Sequence, residues 1–337
     1  MGEDRKEFVD PAVPVAWRHM PTESSELDAD RQVTPGLRAL LEGIVDYAGL
    51  FPPARLDMAE TTANYAQYLA GESAWMLGRV VIPVKRLDEF EKHAARFLPA
   101  SDEPWHISGL TAPADDPRFE EDLKRIARFN ERHAGPDAGL ARIGVIEVCA
   151  DDTAGIDRVL ELLPEDLFPF FELPLDRDPR GLVASIAGSD GGAKVRTGGL
   201  ESGAVPPPRE LARFIEACAS AGVPFKATAG LHHPLHHFSD AAAAEEYGFL
   251  NLFVAAAIAA GKDHTESDLV GVLTERSIGA FAFDENGVRY RRWELTVREI
   301  QQTRLSLAVA FGACSFEEPL EGLRALGLLK GHKEVTK

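Results

Sequence analysis

Cysteine is scarce in this chain of 337 residues, and its three cysteines, Cys149, Cys218 and Cys314, lie far apart. Their odd number and wide spacing exclude a disulfide framework and a zinc site of the CxxC type, and they favour a reducing compartment. Basic residues are also few, because 36 Lys and Arg face 54 Asp and Glu, for a net charge of −18. Such a surface repels the phosphates of nucleic acids and of anionic lipids, so we expect neither partner.

Long apolar runs are missing as well. The longest one, residues 249–261, is interrupted by Asn251 and is too short to span a bilayer. The first residues carry acids and prolines in place of the apolar segment of a signal peptide. These features predict a cytoplasmic protein. We expect residues 1–34 to form a mobile polar arm and residues 35–330 to form a single domain.

Short apolar stretches alternate with amphipathic ones from residue 36 onward. GRVVIPV (78–84), for example, precedes RLDEFEKHAARFL (86–98), and this alternation is typical of βα units on a parallel sheet. No GxGxxG sequence follows the first strand, so a dinucleotide-binding fold has no support. Eight such strands predict an α/β fold, a (β/α)8 TIM-type barrel, with a long elaboration at about 238–305 before the last strand. The strands are expected to end at or near Asp46, Pro83, Gly109, Glu147, Glu172, Arg196, Thr228 and Cys314.

Ionisable and small polar residues gather at these expected strand ends, where a (β/α)8 barrel places its active site. The candidates are Asp46, Glu147, Glu172, Lys194, Arg196, Thr197, Gly198, Gly199, Lys226, Thr228, His232 and His233. Side chains alternate along a strand, so Lys194 and Arg196 are expected to point the same way, as are Lys226 and Thr228. Because buried charges must be paired, Glu147 and Glu172 could also form a salt-bridge network that only supports the barrel.

Two lysines on neighbouring strands point to a reaction with a carbonyl group. A lysine amine attacks a carbonyl only when it is neutral, and its ordinary pKa of about 10.4 prevents that at neutral pH. A nearby cation and an apolar setting lower this pKa and allow a Schiff base to form. The iminium then acts as an electron sink for breaking an adjacent carbon–carbon bond.

The stretches KVRTGG (194–199) and KATAG (226–230) resemble the motifs of class I aldolases of the deoxyribose-phosphate aldolase type. The resemblance implies a lyase in which Lys194 forms the Schiff base and Lys226 lowers its pKa. It also implies a proton relay through an acidic residue on an earlier strand, for which Glu147 and Glu172 are both candidates. These roles require that neither glutamate lies closer to Lys194 than Lys226 does. The fuller set of DYAGLFPPA, KVRTGG, FKATAGLHHP and GACSF also resembles an uncharacterised bacterial family, which implies no activity.

The substrate is predicted to be a small anionic carbonyl metabolite, and no cofactor is expected. Arg196 is expected to bind its carboxylate or phosphate group, and Thr197, Gly198 and Gly199 either cradle a phosphate or form a tight turn. Asp46, Thr228 and His233 are further candidates for substrate binding, and His232 for a general acid or base. Whether the chain forms a homo-oligomer stays open.

Two other functions are consistent with the same residues. His232 and His233, with a carboxylate at a strand end, could bind a divalent metal such as zinc and make the protein a metal-dependent hydrolase or lyase. Alternatively, Lys194, Arg196 and Lys226 could hold an anion in a non-catalytic binding protein.

Overall fold

The computed structural model describes residues 33–100, 103–199, 203–240 and 243–330. The predicted N-terminal arm therefore lies outside the described residues, apart from positions 33 and 34. Thr34 caps the first helix, since its hydroxyl accepts a hydrogen bond from the Leu37 N–H.

Eight parallel strands close into a barrel, which confirms the predicted (β/α)8 fold. In chain order these strands are β1 (Val45–Tyr47), β2 (Leu77–Pro83), β3 (Trp105–Leu110), β4 (Ala141–Cys149), β5 (Phe168–Glu172), β6 (Gly192–Arg196), β7 (Phe225–Thr228) and β13 (Ala308–Ala313). Their order around the barrel is β1-β13-β7-β6-β5-β4-β3-β2. Four of them end at the predicted residue and the other four end one or two residues away.

Helices connect the strands and cover the outside of the barrel. They are α1 (Pro35–Leu41), α2 (Met58–Leu69), α3 (Leu87–Ala94), α4 (Arg118–Arg132), α5 (Thr153–Leu162), α6 (Arg180–Ile186), α7 (Pro208–Ala221), α8 (Phe249–Gly261), α9 (Glu266–Leu273), α10 (Val297–Ser306) and α11 (Glu317–Ala325). In α4, for example, Phe119, Leu123, Ile126 and Phe129 recur at helical spacing, and all four are buried. The other face of α4 carries the charges that water solvates.

The chain between β7 and β13 adds two small antiparallel sheets to the barrel. In the first sheet, β8 (His237–Ser239) pairs antiparallel with β9 (Ala244–Glu246). The second sheet has three strands, β10 (Phe281–Phe283), β11 (Gly287–Tyr290) and β12 (Trp293–Thr296). The turn between β10 and β11 falls at residues 284–286, in the sequence DENG (284–287), which is typical of a hairpin turn.

The apolar helix α8 belongs to the protein core. Its residues 249–258 are all buried, and the ring of Phe249 stacks on that of Phe311 in β13, with 5.2 Å between the centroids. No helix in the described ranges has both the length and the apolar character needed to cross a membrane.

Arg304 joins the amino ends of β1 and β13 beneath the barrel. Its guanidinium is buried and donates hydrogen bonds to the backbone carbonyls of Leu40, Glu42, Ala308 and Val309. Burial lowers the pKa of Arg304 to about 9. These bonds fix β1 against β13, and β1 carries Asp46 into the barrel interior.

Candidate active site at the carboxyl ends of the strands

Five ionisable side chains meet inside the barrel near the carboxyl ends of its strands. They form what we call the lysine–carboxylate cluster, which consists of Asp46, Glu147, Glu172, Lys194 and Lys226. Strand pairing places them together, because Lys194 on β6 is in register with Glu172 on β5 and with Lys226 on β7. Only 4% of Lys194 and 1% of Lys226 are exposed, so both amines depend on protein partners.

Glu147 is the centre of this cluster. One of its oxygens, Oε2, lies 2.6 Å from the Nζ of Lys194, and the other, Oε1, lies 2.6 Å from the Nζ of Lys226. The hydroxyl of Ser108 on β3 donates a hydrogen bond of 2.8 Å to the same Oε1. Glu147 therefore bridges the two lysines, which share one carboxylate.

Each lysine has a second carboxylate of its own. Lys194 lies 2.7 Å from Oε2 of Glu172, and Lys226 lies 2.5 Å from Oδ2 of Asp46. The other oxygen of Asp46 accepts a hydrogen bond of 2.8 Å from the backbone N–H of Arg79. Three carboxylates thus surround two buried ammonium groups, and such contacts are much stronger in a protein interior than on a surface.

The ion pairs control the protonation of the cluster. Burial alone would lower the pKa of Lys194, but the carboxylates of Glu147 and Glu172 outweigh burial and raise this pKa above its ordinary value. Burial alone would likewise raise the pKa of Glu147, but Lys194 and Lys226 outweigh it and hold that pKa well below its usual range. The amine of Lys194 is therefore charged in the resting protein.

This geometry corrects the roles expected for the two lysines. The sequence predicts a Lys194 amine that is neutral because Lys226 is its nearest charged neighbour. Instead, Glu147 and Glu172 both lie within 2.7 Å of Lys194, and they raise its pKa. The carboxylates win because each contacts the amine directly, whereas the charge of Lys226 is offset by Asp46 and Glu147. Lys226 is thus not a direct pKa-lowering partner of Lys194.

The pKa shifts predict how the cluster contributes to stability. The lowered pKa of Glu147 gives a contribution that is complete above the ordinary carboxylate pKa of about 4.3 and is lost as the pH falls toward its folded-state pKa. The raised pKa of Lys194 also contributes to stability. That contribution is complete below about pH 10.4, the ordinary lysine pKa, and is lost as the pH rises toward the folded-state pKa of Lys194. The double variant Glu147→Gln/Lys194→Met lacks both contributions.

We therefore expect the difference in unfolding free energy between the wild type and this double variant to be constant between about pH 5 and pH 10, and to shrink outside that window. Urea unfolding across the pH range measures it. A difference that kept growing below about pH 4 would contradict the assigned protonation states.

Arg196 and Glu172 connect the cluster to the barrel mouth. The side chain of Arg196 is 55% exposed, and its Nη1 lies 3.5 Å from Oε1 of Glu172. Since Lys194 and Arg196 both contact Glu172, they do point the same way, as the alternation along β6 predicts. Glu172 and Arg196 line a cavity of about 480 Å³, and Glu172 separates this cavity from Lys194. A larger groove of about 970 Å³ runs between α6 and α7, but no member of the cluster lines it.

The glycine-containing loop after β6 packs against the loop after β7. The Thr197 hydroxyl donates to the Ala229 carbonyl at 2.6 Å, and its backbone N–H donates to the Thr228 carbonyl at 2.9 Å. A Cβ on Gly198 would lie 2.7 Å from the Cα of Gly230, so the close approach of the two loops requires glycine there. This packing favours the tight-turn interpretation of residues 197–199 over a phosphate cradle.

The histidines lie apart from the cluster, each with a partner of its own. The Nδ1 of His232 lies 2.6 Å from Oε2 of Glu318 in α11, and the ring of His233 packs against that of His237, with 4.3 Å between the centroids. Burial lowers the pKa of His233, and the neighbouring His237 adds to this effect. Across the described ranges, no three His, Cys, Asp or Glu residues form a group that could hold a metal ion. The ligand set of the metal-dependent alternative is therefore not assembled there.

Two residues near the site were not among the sequence candidates. Ser108, which contacts Glu147, lies two positions before the end of β3. A polar residue in a mostly apolar strand was the sequence feature that could have identified it. Cys149 ends β4 opposite Glu172 and lines the cavity at the mouth. Cys149 is exposed as a residue, but partial burial of its thiol raises the thiol pKa, and the charge of Glu172 adds to this, so the thiol reacts slowly at neutral pH.

Comparisons of the chain with protein-family models, with curated proteins and with solved structures gave no significant match.

Proposed function

We propose that this protein is an enzyme that forms a Schiff base between Lys194 and a small carbonyl substrate and makes or breaks an adjacent carbon–carbon bond. The observation that carries the proposal is the position of Lys194. Lys194 lies inside the mouth of a (β/α)8 barrel and is in register with Lys226. It contacts Glu172, the member of the lysine–carboxylate cluster that lines the 480 Å³ cavity. The resemblance of KVRTGG and KATAG to class I aldolases supports the same assignment.

A charged resting amine is compatible with this chemistry because the proton can stay within the site. Transfer of a proton from the Lys194 ammonium to Glu172, 2.7 Å away, turns an ion pair into two neutral groups, and the burial of Lys194 lowers the cost of this step. No proton has to leave for the solvent. The raised pKa of Lys194 concerns the loss of a proton from the amine to water. It therefore does not set the rate of proton transfer from Lys194 to Glu172 within the site.

The proposed sequence of bond changes is balanced. Glu172 takes one proton from the ammonium of Lys194, and the neutral amine attacks the carbonyl carbon. A second amine proton moves to the former carbonyl oxygen, giving a neutral carbinolamine. Glu172 then returns its proton to the hydroxyl, which leaves as water while the nitrogen lone pair forms the iminium. The iminium carries the charge that the ammonium carried, so Glu147 stabilises both.

Lys226 acts as a positioning residue in this proposal. It occupies Oε1 of Glu147 and Oδ2 of Asp46, and it therefore limits the negative charge that Lys194 experiences. The same neutralisation argues against a non-catalytic anion-binding protein, because the carboxylates of the cluster already pair with both ammonium groups.

Trapping of the iminium tests the proposal. The protein is incubated with glycolaldehyde, glyceraldehyde or dihydroxyacetone and with cyanoborohydride, and its mass is measured. With at least one of the three compounds, we expect one molecule to be attached per protein chain, at a rate much higher than the rate at which exposed lysines are labelled. Labelling of many lysines at similar rates, with no preferred one, would contradict the proposal.

The role of Glu172 gives a further prediction. Replacing it with glutamine removes the proton acceptor, and the rate of trapping should fall about 10²- to 10⁴-fold. Because the wild-type proton stays in the site, its trapping rate should change little between about pH 6 and pH 9. In Glu172→Gln, Glu147 still contacts the amine but is a poor proton acceptor, because Lys226 and Lys194 hold its pKa well below the usual range. The amine then releases its proton to water, so the rate of trapping should rise about tenfold per pH unit. A wild-type rate with that same steep slope would contradict the internal transfer.

A further inference from the structure

The charges around the mouth cavity identify the class of substrate that it accepts. Four carboxylates line this cavity, from Asp151, Asp176, Glu210 and Glu172 of the cluster, against the single guanidinium of Arg196 among the described lining residues. Arg196 lies 3.5 Å from Glu172, so the one cation among the described residues of the lining is already paired. The cavity therefore has an excess of negative charge.

The remaining three carboxylates of the lining, Asp151, Asp176 and Glu210, have no ion-pair partner in the described part of the chain. Three arginines line the neighbouring groove, but Arg180 pairs with Asp178 and Arg213 pairs with Glu266. Arg177, the third, donates a hydrogen bond to the backbone carbonyl of Asp151. One cation at the edge does not balance three carboxylates.

The floor of the cavity supplies no surplus positive charge either. Lys194 and Lys226 are matched by Asp46, Glu147 and Glu172, which together carry one negative charge more than the two lysines carry positive charge. The loop at 197–199 adds no free donor from Thr197, whose hydroxyl and N–H are both used in packing. Among the described lining residues, a phosphate group would meet one cation, Arg196, which already pairs with Glu172, and it would gain no hydrogen bond from Thr197.

We infer that the substrate is a small uncharged hydroxyaldehyde or hydroxyketone, and that the acidic mouth excludes phosphorylated carbonyl compounds. This inference rests on the proposed Schiff-base function. It replaces the anionic metabolite that Arg196 alone predicts. Carboxylates accept hydrogen bonds from substrate hydroxyls, and a cavity of about 480 Å³ accommodates a molecule of a few carbons. Arg196 then holds Glu172 in place for proton transfer.

Two experiments test the inference, and the first does not depend on catalysis. Cys149 is exposed and lines the cavity, so its alkylation reports the local potential. The measured quantity is the rate of alkylation by iodoacetate divided by the rate with uncharged iodoacetamide. We expect this ratio for Cys149 to be at least about threefold lower than for a free thiol at the same pH. Cys149→Ser identifies the reacting thiol. Equal relative rates for the two reagents would overturn the inference.

The second experiment compares trapping of glyceraldehyde and of glyceraldehyde 3-phosphate by cyanoborohydride. We expect the uncharged aldehyde to label Lys194 at least about tenfold faster, and Asp176→Asn/Glu210→Gln to narrow this ratio. The control Glu285→Gln/Glu294→Gln removes two exposed carboxylates of the β10–β12 sheet and its turn, and it should leave the ratio unchanged. Faster labelling by the phosphate ester would overturn the inference and leave the proposed function standing. No labelling of Lys194 by either aldehyde would overturn both.

Discussion

Lys194→Met is expected to abolish the trapped adduct and to lower turnover of the true substrate by about 10⁴-fold or more, the scale of losing a nucleophile. Methionine has a similar length but no amine, so no Schiff base can form. Glu147 keeps its pair with Lys226 and Glu172 keeps its pair with Arg196, so the variant should still fold. Mass spectrometry after treatment with cyanoborohydride measures the adduct.

Lys85→Met is the matched control for this variant. Lys85 is exposed and lies two positions after the end of β2, outside the cluster. The substitution therefore removes an amine that the aldehyde can reach freely. Its loss should leave adduct formation and turnover unchanged. An adduct that persists in Lys194→Met at the wild-type rate would end the assignment of Lys194 as the nucleophile.

Glu147→Gln is expected to destabilise the protein by about 3–5 kcal/mol, because it leaves two buried lysines with one carboxylate fewer. The amide still fills the space and can hydrogen-bond to Ser108, so the loss reports on charge and not on a cavity. Urea unfolding at neutral pH measures it. Glu121→Gln, which removes the partner of Arg128 on the surface of α4, should change stability by at most about 1 kcal/mol.

The double variant Glu147→Gln/Lys194→Met separates this electrostatic effect from a general loss of packing. It removes one carboxylate and one ammonium and leaves the Asp46–Lys226 and Glu172–Arg196 pairs in place. We expect it to be more stable than Glu147→Gln alone. A double variant less stable than either single variant would show that the cluster is held together by something other than charge balance.

Much of the fold could be predicted from the sequence, because each element is determined locally. Apolar stretches such as GRVVIPV formed strands, and the spacing of apolar residues in α4 formed a buried helical face. The register of Lys194 with Lys226 also followed from local rules, since parallel neighbouring strands align residues that occupy the same position relative to their ends. The strand ends could be predicted to within two residues for the same reason.

The charge state of Lys194 could not be predicted in this way, because it depends on how the barrel closes. Asp46 lies 180 positions from Lys226, and Glu147 lies 79 positions from it, yet both contact its amine. Without these contacts, Lys226 is an uncompensated cation beside Lys194, and the sequence predicts a lowered pKa for Lys194. In the structure Asp46 and Glu147 offset the charge of Lys226, while Glu147 and Glu172 contact Lys194 and raise its pKa.

The location of the trapped adduct tests the Schiff-base assignment most directly. Trypsin cannot cleave after an alkylated lysine, so digestion of the trapped protein distinguishes the two lysines of the cluster. We predict a peptide of residues 181–196 that carries the reduced adduct on Lys194, together with an unmodified peptide 214–226 that ends at Lys226. Normal cleavage after Lys194 in the labelled protein, with the adduct on Lys226 or on exposed lysines, would contradict the account.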